Sequence, residues 1–83
     1  MVYQNFPNPF KLSTIISFNL PQEMTARITI HDHQGKIINS IENDFAKGYN
    51  QYEFSQKDLG EGIYYYTVSA GEFTKTIRML HIE

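Results

Sequence analysis

An all-β fold, an antiparallel sandwich of about seven strands, is what this sequence predicts. Three observations carry the prediction. Apolar and polar residues alternate with period two along most of the chain, and helical periodicity is nearly absent. The alternating runs recur at a spacing of roughly 8–12 residues, with turn-forming residues between them. Six tyrosines and six phenylalanines among 83 residues supply bulk for a core, and aromatic side chains suit the half-buried surface of a sheet.

The chain opens on Tyr3-Gln4-Asn5-Phe6-Pro7-Asn8-Pro9-Phe10. Proline fixes φ, lacks an N–H donor and pushes the residue before it toward extended geometry. Two prolines at a spacing of two forbid a helix, so a stiff, extended first strand is expected, with its aromatics closing the core. Thr14–Leu20 follows as a strand with Ile16, Phe18 and Leu20 on one face, and Pro21 ends it. Ala26–Asp32 turns Ala26, Ile28 and Ile30 inward and Arg27, Thr29 and His31 outward. Asp32-His33-Gln34-Gly35 reads as a turn in which Asp starts the bend and Gly35 supplies a positive φ. Lys36–Glu42 returns as the hairpin partner; Ile37, Ile38 and Ile41 break strict alternation, which points to a bulge.

Lys47-Gly48 turns the chain again, into a short strand Tyr49–Phe54 with Tyr52 and Phe54 inward. Gln56–Glu61 is a polar crossing. Gly62–Ala70 is the strongest strand, with Tyr64, Tyr66 and Val68 on one face and Ile63, Tyr65 and Thr67 on the other. Gly71-Glu72 turns it, and Phe73–Ile82 runs back as the last strand. Asp58-Leu59-x-x-Gly62-x-Tyr64 has the spacing of a tyrosine corner, in which a Tyr early in the penultimate strand of an immunoglobulin-like sandwich turns its hydroxyl onto upstream backbone. The plainer alternative is a buried Tyr with no special hydrogen bond. Either way Tyr64 is assigned to structure and not to chemistry.

The length fits one domain over residues 1–83. With no cysteine there is no disulfide framework and no thiolate chemistry. The formal net charge is −2 with no basic run, which argues against nucleic acid and anionic membrane surfaces as partners. No apolar stretch approaches the ~18–20 residues that span a bilayer. No signal-peptide pattern precedes the domain, and Met1 directly before the first motif is what a unit cut from a larger parent would show.

Motifs for chemistry are thin. His31-Asp32-His33 is the one metal-like cluster, since alternate strand residues face the same way. A zinc site needs a third ligand, which would have to be His81 or a carboxylate, and Asp32 with Gly35 already accounts for the segment as a turn. Glu42 and Asp44, and Asp58 and Glu61, read as solvated turn positions; a small sandwich leaves little room for the cleft that paired-carboxylate catalysis requires. The serines lack a nucleophile-elbow context and no Gly-rich phosphate loop is present. No enzyme activity and no cofactor are expected. Tyr65 and Tyr49, predicted outward, keep a glycan-binding role open, although exposed tyrosines are ordinary in strands.

Taken in order, YQNFPNPF, STIISFNLP, IHDHQGKI, KGYNQYEF, LGEGIYYYTV and GEFTKTIRML form a series. The series resembles the type A C-terminal sorting domain of the type IX (Por) secretion system. The resemblance covers nearly all of residues 3–82. It implies an immunoglobulin-like sandwich that is no enzyme. It implies further that an N-terminal cargo protein crosses the inner membrane on its own signal, passes through the periplasm and is directed by this domain through the outer-membrane translocon. A sortase-like protease then removes the domain, and the cargo is released or held at the cell surface. Partners implied are the translocon and its shuttle and sortase proteins. The family's signal-bearing elements fall on Gly62 and Tyr64 and, in the last strand, on Lys75, Arg78 and Met79; Gly35 and Gly48 match turn positions, and Gly71 is a further structural turn.

Residue chemistry adds its own reading of that strand. Lys75 and Arg78 interrupt an otherwise apolar run, which is costly unless both heads reach water or a partner. They should face opposite sides, and they also suit edge-strand protection against aggregation. Many members of the family end in a basic residue, whereas this chain closes with His81-Ile82-Glu83, which counts against a terminal Lys as part of the signal. Two other readings stay open: a non-catalytic glycan- or protein-binding module, and edge-strand assembly leaving the domain a monomer or weak dimer.

Overall fold

The computed structural model describes residues 1–83 and contains six strands and no helix. They are β1 (Thr14–Leu20), β2 (Met24–Asp32), β3 (Ile37–Phe45), β4 (Gly48–Phe54), β5 (Gly62–Ala70) and β6 (Phe73–His81). They form two antiparallel sheets, a two-stranded β1–β4 and a four-stranded sheet ordered β3-β2-β5-β6. Every strand expected from the alternation after residue 13 is present.

The expected seventh strand is not. The aromatic lead-in forms no strand, only isolated bridges at Val2, Phe6 and Phe10. Its prolines supply no donors, and the chain bends through Pro7–Pro9, with both bonds preceding proline in the cis form. Nor do its aromatics close the core together. Phe10 is buried, while Phe6 is 77% exposed and Tyr3 lies partly open.

The segment instead straps the two sheets. Residues 1–6 pair with the outer edge of β1: Tyr3 donates to the Ser17 carbonyl at 3.0 Å, and Phe6 and Ile15 exchange bonds of 3.0 and 2.8 Å. Residues 8–10 then reach the outer edge of β6. Leu80 N–H donates to Asn8 Oδ1 at 2.9 Å, Phe10 N–H to the Leu80 carbonyl at 3.0 Å, and Ile82 N–H to the Phe10 carbonyl at 2.9 Å. A buried polar node holds the bend between these two halves. Asn5 Nδ2 donates to Thr14 Oγ1 (2.9 Å) and to the Pro7 carbonyl (3.2 Å), and Thr14 Oγ1 donates to the same carbonyl at 2.8 Å. A buried amide with its partners supplied stabilises the bend; unpaired, it would cost free energy.

One core joins the sheets. Ile16, Phe18 and Leu20 meet Phe54 from β4 and the inward residues of the large sheet, Ala26, Ile28, Ile30, Tyr66, Val68 and Met79. Phe10 and Phe54 pack edge to face at 6.2 Å, as do Phe18 and Phe45 at 5.0 Å. The predicted bulge is where the isoleucines placed it. Ile30 pairs with Asn39 and His31 with Ile37, so Ile38 is the extra residue. In the turn before it, Asp32 Oδ1 accepts the Gln34 and Lys36 N–H groups, both at 2.9 Å, and Gly35 has φ of 86°.

Candidate functional site

The β5–β6 hairpin holds most of the residues singled out from sequence. Its register pairs Gly62 with His81, Tyr64 with Met79, Tyr65 with Arg78, Tyr66 with Ile77 and Val68 with Lys75. Alternation then sorts them by face. Tyr64 and Met79 meet on the core side and are buried. Tyr64 Oη donates to the Gly60 carbonyl at 2.6 Å, four residues upstream, which is the tyrosine corner its spacing predicted. Gly62 supplies the positive φ of 147° that brings the chain round into β5. Gly35, Gly48 and Gly71 all lie at turns with positive φ. At Gly71 a Cβ would also stand 3.1 Å from the Met24 side chain, so glycine there answers both backbone and packing.

Lys75 and Arg78 leave β6 on opposite sides, as expected. Lys75 lies opposite the buried Val68, so it departs from the core face, yet it is exposed because the small sheet does not cover this corner. Arg78 lies opposite Tyr65 on the outer face and is exposed too. Neither is in an ion pair; the one salt bridge, Arg27 to Glu42 at 3.4 Å, spans β2 and β3. β6 is an edge strand, and the lead-in covers only half of that edge. Gln4 Nε2 donates to the Arg78 carbonyl at 2.8 Å, and Leu80 and Ile82 are paired as described. Thr74 and Thr76, which by alternation present their backbone groups to the same side as Leu80, have no such partner.

His81, which the sequence offered only as a possible third metal ligand, has a structural place instead. It shares the inward parity of Ile77 and Met79 and is buried. Its Nδ1 lies 3.0 Å from the Gly60 carbonyl and its Nε2 2.9 Å from the Lys11 carbonyl, and its ring lies 5.0 Å from that of Phe10. It therefore ties the end of β6 to the corner loop and to the end of the lead-in. The alternation of β6 carried this signal, but histidine is read first as a ligand or a surface residue.

A family model for the secretion system C-terminal sorting domain matches residues 4–83. The chain belongs to that family. No curated protein matches it. The matched stretch runs from inside the lead-in through the last strand, so the sorting domain includes both the strap and the hairpin it braces. It is a C-terminal sorting signal of type IX secretion, a family that addresses an attached cargo for export across the outer membrane.

Elsewhere on the sorting domain the candidate groups are dispersed. His31 stacks on Tyr65 at 5.6 Å and 16°, its Nδ1 faces the Asp32 carbonyl, and no three His, Asp or Glu side chains converge on a metal position. Tyr65 is half-buried on the large sheet; Tyr49 is exposed on the small one, tilted against Tyr3 at 6.1 Å. The two rings share no platform. Hydrogen bonds with Ser17, and then with Gln51, hold the Tyr49 phenol below its ordinary pKa.

Proposed function

We propose that the type IX machinery reads this domain as a folded address on the C-terminal side of its cargo, and reads it at the β5–β6 hairpin. The observation that carries the sorting role is the family match across the whole sandwich, residues 4–83. Geometry supports the division of labour within it. Gly62, Tyr64 and Met79 shape the hairpin from within, and Lys75 and Arg78 offer charge to a partner from opposite faces of an edge strand. The tyrosine corner supports an immunoglobulin-like type of sandwich. In the proposed sequence of events the domain crosses the periplasm with its cargo, meets the translocon and its shuttle proteins, and is removed by a sortase-like protease as the cargo reaches the surface or the medium.

The test is a fusion of residues 1–83 behind a folded reporter carrying a Sec signal, expressed in a type IX-competent host and in the same host lacking the translocon. Reporter in the medium or on the surface of the first strain alone is the expected result. Retention in the periplasm of both strains overturns the reading.

A further inference from the structure

We infer that the uncovered half of the β6 edge, Phe73–Ile77, is a docking strip for an extended strand of the export machinery that carries an acidic residue opposite Lys75. The inference rests on the sorting role proposed above and adds the chemistry of the partner. Three features of the structure converge on it.

The first is backbone. The lead-in satisfies the outer edge of β6 from the Arg78 carbonyl to Ile82 and stops there, leaving the Arg78 N–H to the open half. Thr74 and Thr76 retain outward N–H and C=O groups, which in antiparallel pairing each exchange two hydrogen bonds with an added strand. The second is an apolar trough at the turn end of the strip, lined by Met1, Tyr3, Leu20, Pro21, Met24 and Phe73. Alternate side chains of a strand laid on Thr74 and Thr76 fall on the face of Phe73 and Ile77, and the one opposite Phe73 borders this trough. The third is charge. Lys75 sits midway along the strip on that same inner face, exposed and in no ion pair. It bonds to β5 through its own backbone, so the residue facing it across the new edge is in the close, non-hydrogen-bonded type of pair. An acid there is favourable. Glu72, at the turn end of the strip and part of the trough wall, disfavours a second acid at that end.

A second copy of the chain fits worse. The two-fold register that matches Phe73–Ile77 with itself sets Lys75 directly against the copy's Lys75, and like charges directly opposed across strands are destabilising. The pattern that fits is apolar, any residue, acidic, any residue, apolar.

The test uses the 83-residue chain with capped nonapeptides of alternating Val and Thr, one with a central Glu and one with a central Lys. Backbone amide shifts are followed by NMR at low and moderate salt. Expected are shifts centred on Thr74, Thr76 and Arg78, binding at least tenfold tighter for the Glu peptide, weakening with salt, and a reversed preference in Lys75→Glu. Shifts centred on β3 instead, equal response to both peptides, or concentration-dependent dimerisation through the same amides overturns the inference. In the host, Thr76→Pro removes an outward N–H while leaving the β5 side intact, and Thr74→Pro repeats the test should the first variant lose its native melting temperature. With the parent fusion exported, folded proline variants should be retained. Their normal export overturns the docking strip while leaving the sorting role standing; failure of the parent fusion strikes the sorting role itself, and the peptide titration still decides the strip.

Discussion

The Tyr66 hydroxyl sits at the floor of the core and donates to the Tyr3 carbonyl at 2.6 Å, so a single side chain fixes the start of the strap to the large sheet. Burial pushes this phenol up to about 12, against an ordinary value of 10.0. The folded-state value is raised, so the stabilisation is complete below pH 10 and is lost as pH rises through about 12. Thermal melts between pH 9 and 12 should show the midpoint falling over that window, and Tyr66→Phe should flatten the fall while costing about 1–2 kcal/mol at neutral pH. Asp32 gives the opposite limb. The Lys36 N–H bond, foremost, lowers its carboxyl from 3.8, so its contribution is present above that value and fades as pH falls through the lowered one. At the corner, the Gly60 carbonyl accepts from Tyr64 and also faces His81. Tyr64→Phe and His81→Leu should therefore be non-additive. A double-mutant cycle on melting free energies should give a coupling of about 0.5 kcal/mol or more, and strict additivity would show the shared acceptor to be irrelevant.

At the scale of elements, the strands were readable because a sheet with one buried face writes its period into sequence. Gly62–Ala70 matches β5 end to end, and the run of isoleucines located the bulge. The lead-in was not readable in the same way. Proline announces stiffness but not direction, and the node that sets direction is made by Asn5 and Thr14, polar residues whose burial no alternation reveals. Its three aromatics look equivalent in sequence, yet the bend divides them. Phe10→Ala should cost about 3–5 kcal/mol, enough to threaten a small domain, because it empties the site between Phe54 and His81. Phe6→Ala should change stability by no more than about 0.5 kcal/mol, since that ring is in water. Chemical denaturation of the two variants side by side checks the strap geometry; equal losses would mean that both rings reach the core.

For the molecule as a whole, the question is whether the address is the fold or particular charges on it. Family motifs in the sequence pointed to five residues of the hairpin; spacing and alternation set Tyr64 apart as structural and Lys75 and Arg78 on opposite sides, but the motifs by themselves do not say which way a residue faces or whether it is covered. The register supplies the missing half: Tyr64, Met79 and Lys75 share the core-side face, the first two buried and Lys75 exposed where the small sheet ends, while Arg78 lies on the outer face. A signal carried by fold stability alone should follow melting temperature across variants, whatever their charge. A signal carried by surface charge should separate from it. Arg78→Glu is the variant that divides the cases, because the side chain is exposed, lacks an ion pair and contributes to the strap only through its backbone carbonyl. Its melting temperature should match the parent, while reporter export should fall about tenfold, the loss of one favourable charged contact at a partner surface. Tyr64→Phe should do the reverse, melting earlier while its exported fraction stays near the parent value at growth temperature. Export that tracks melting temperature in both variants would place the signal in the intact sandwich and remove Arg78 from the recognised surface.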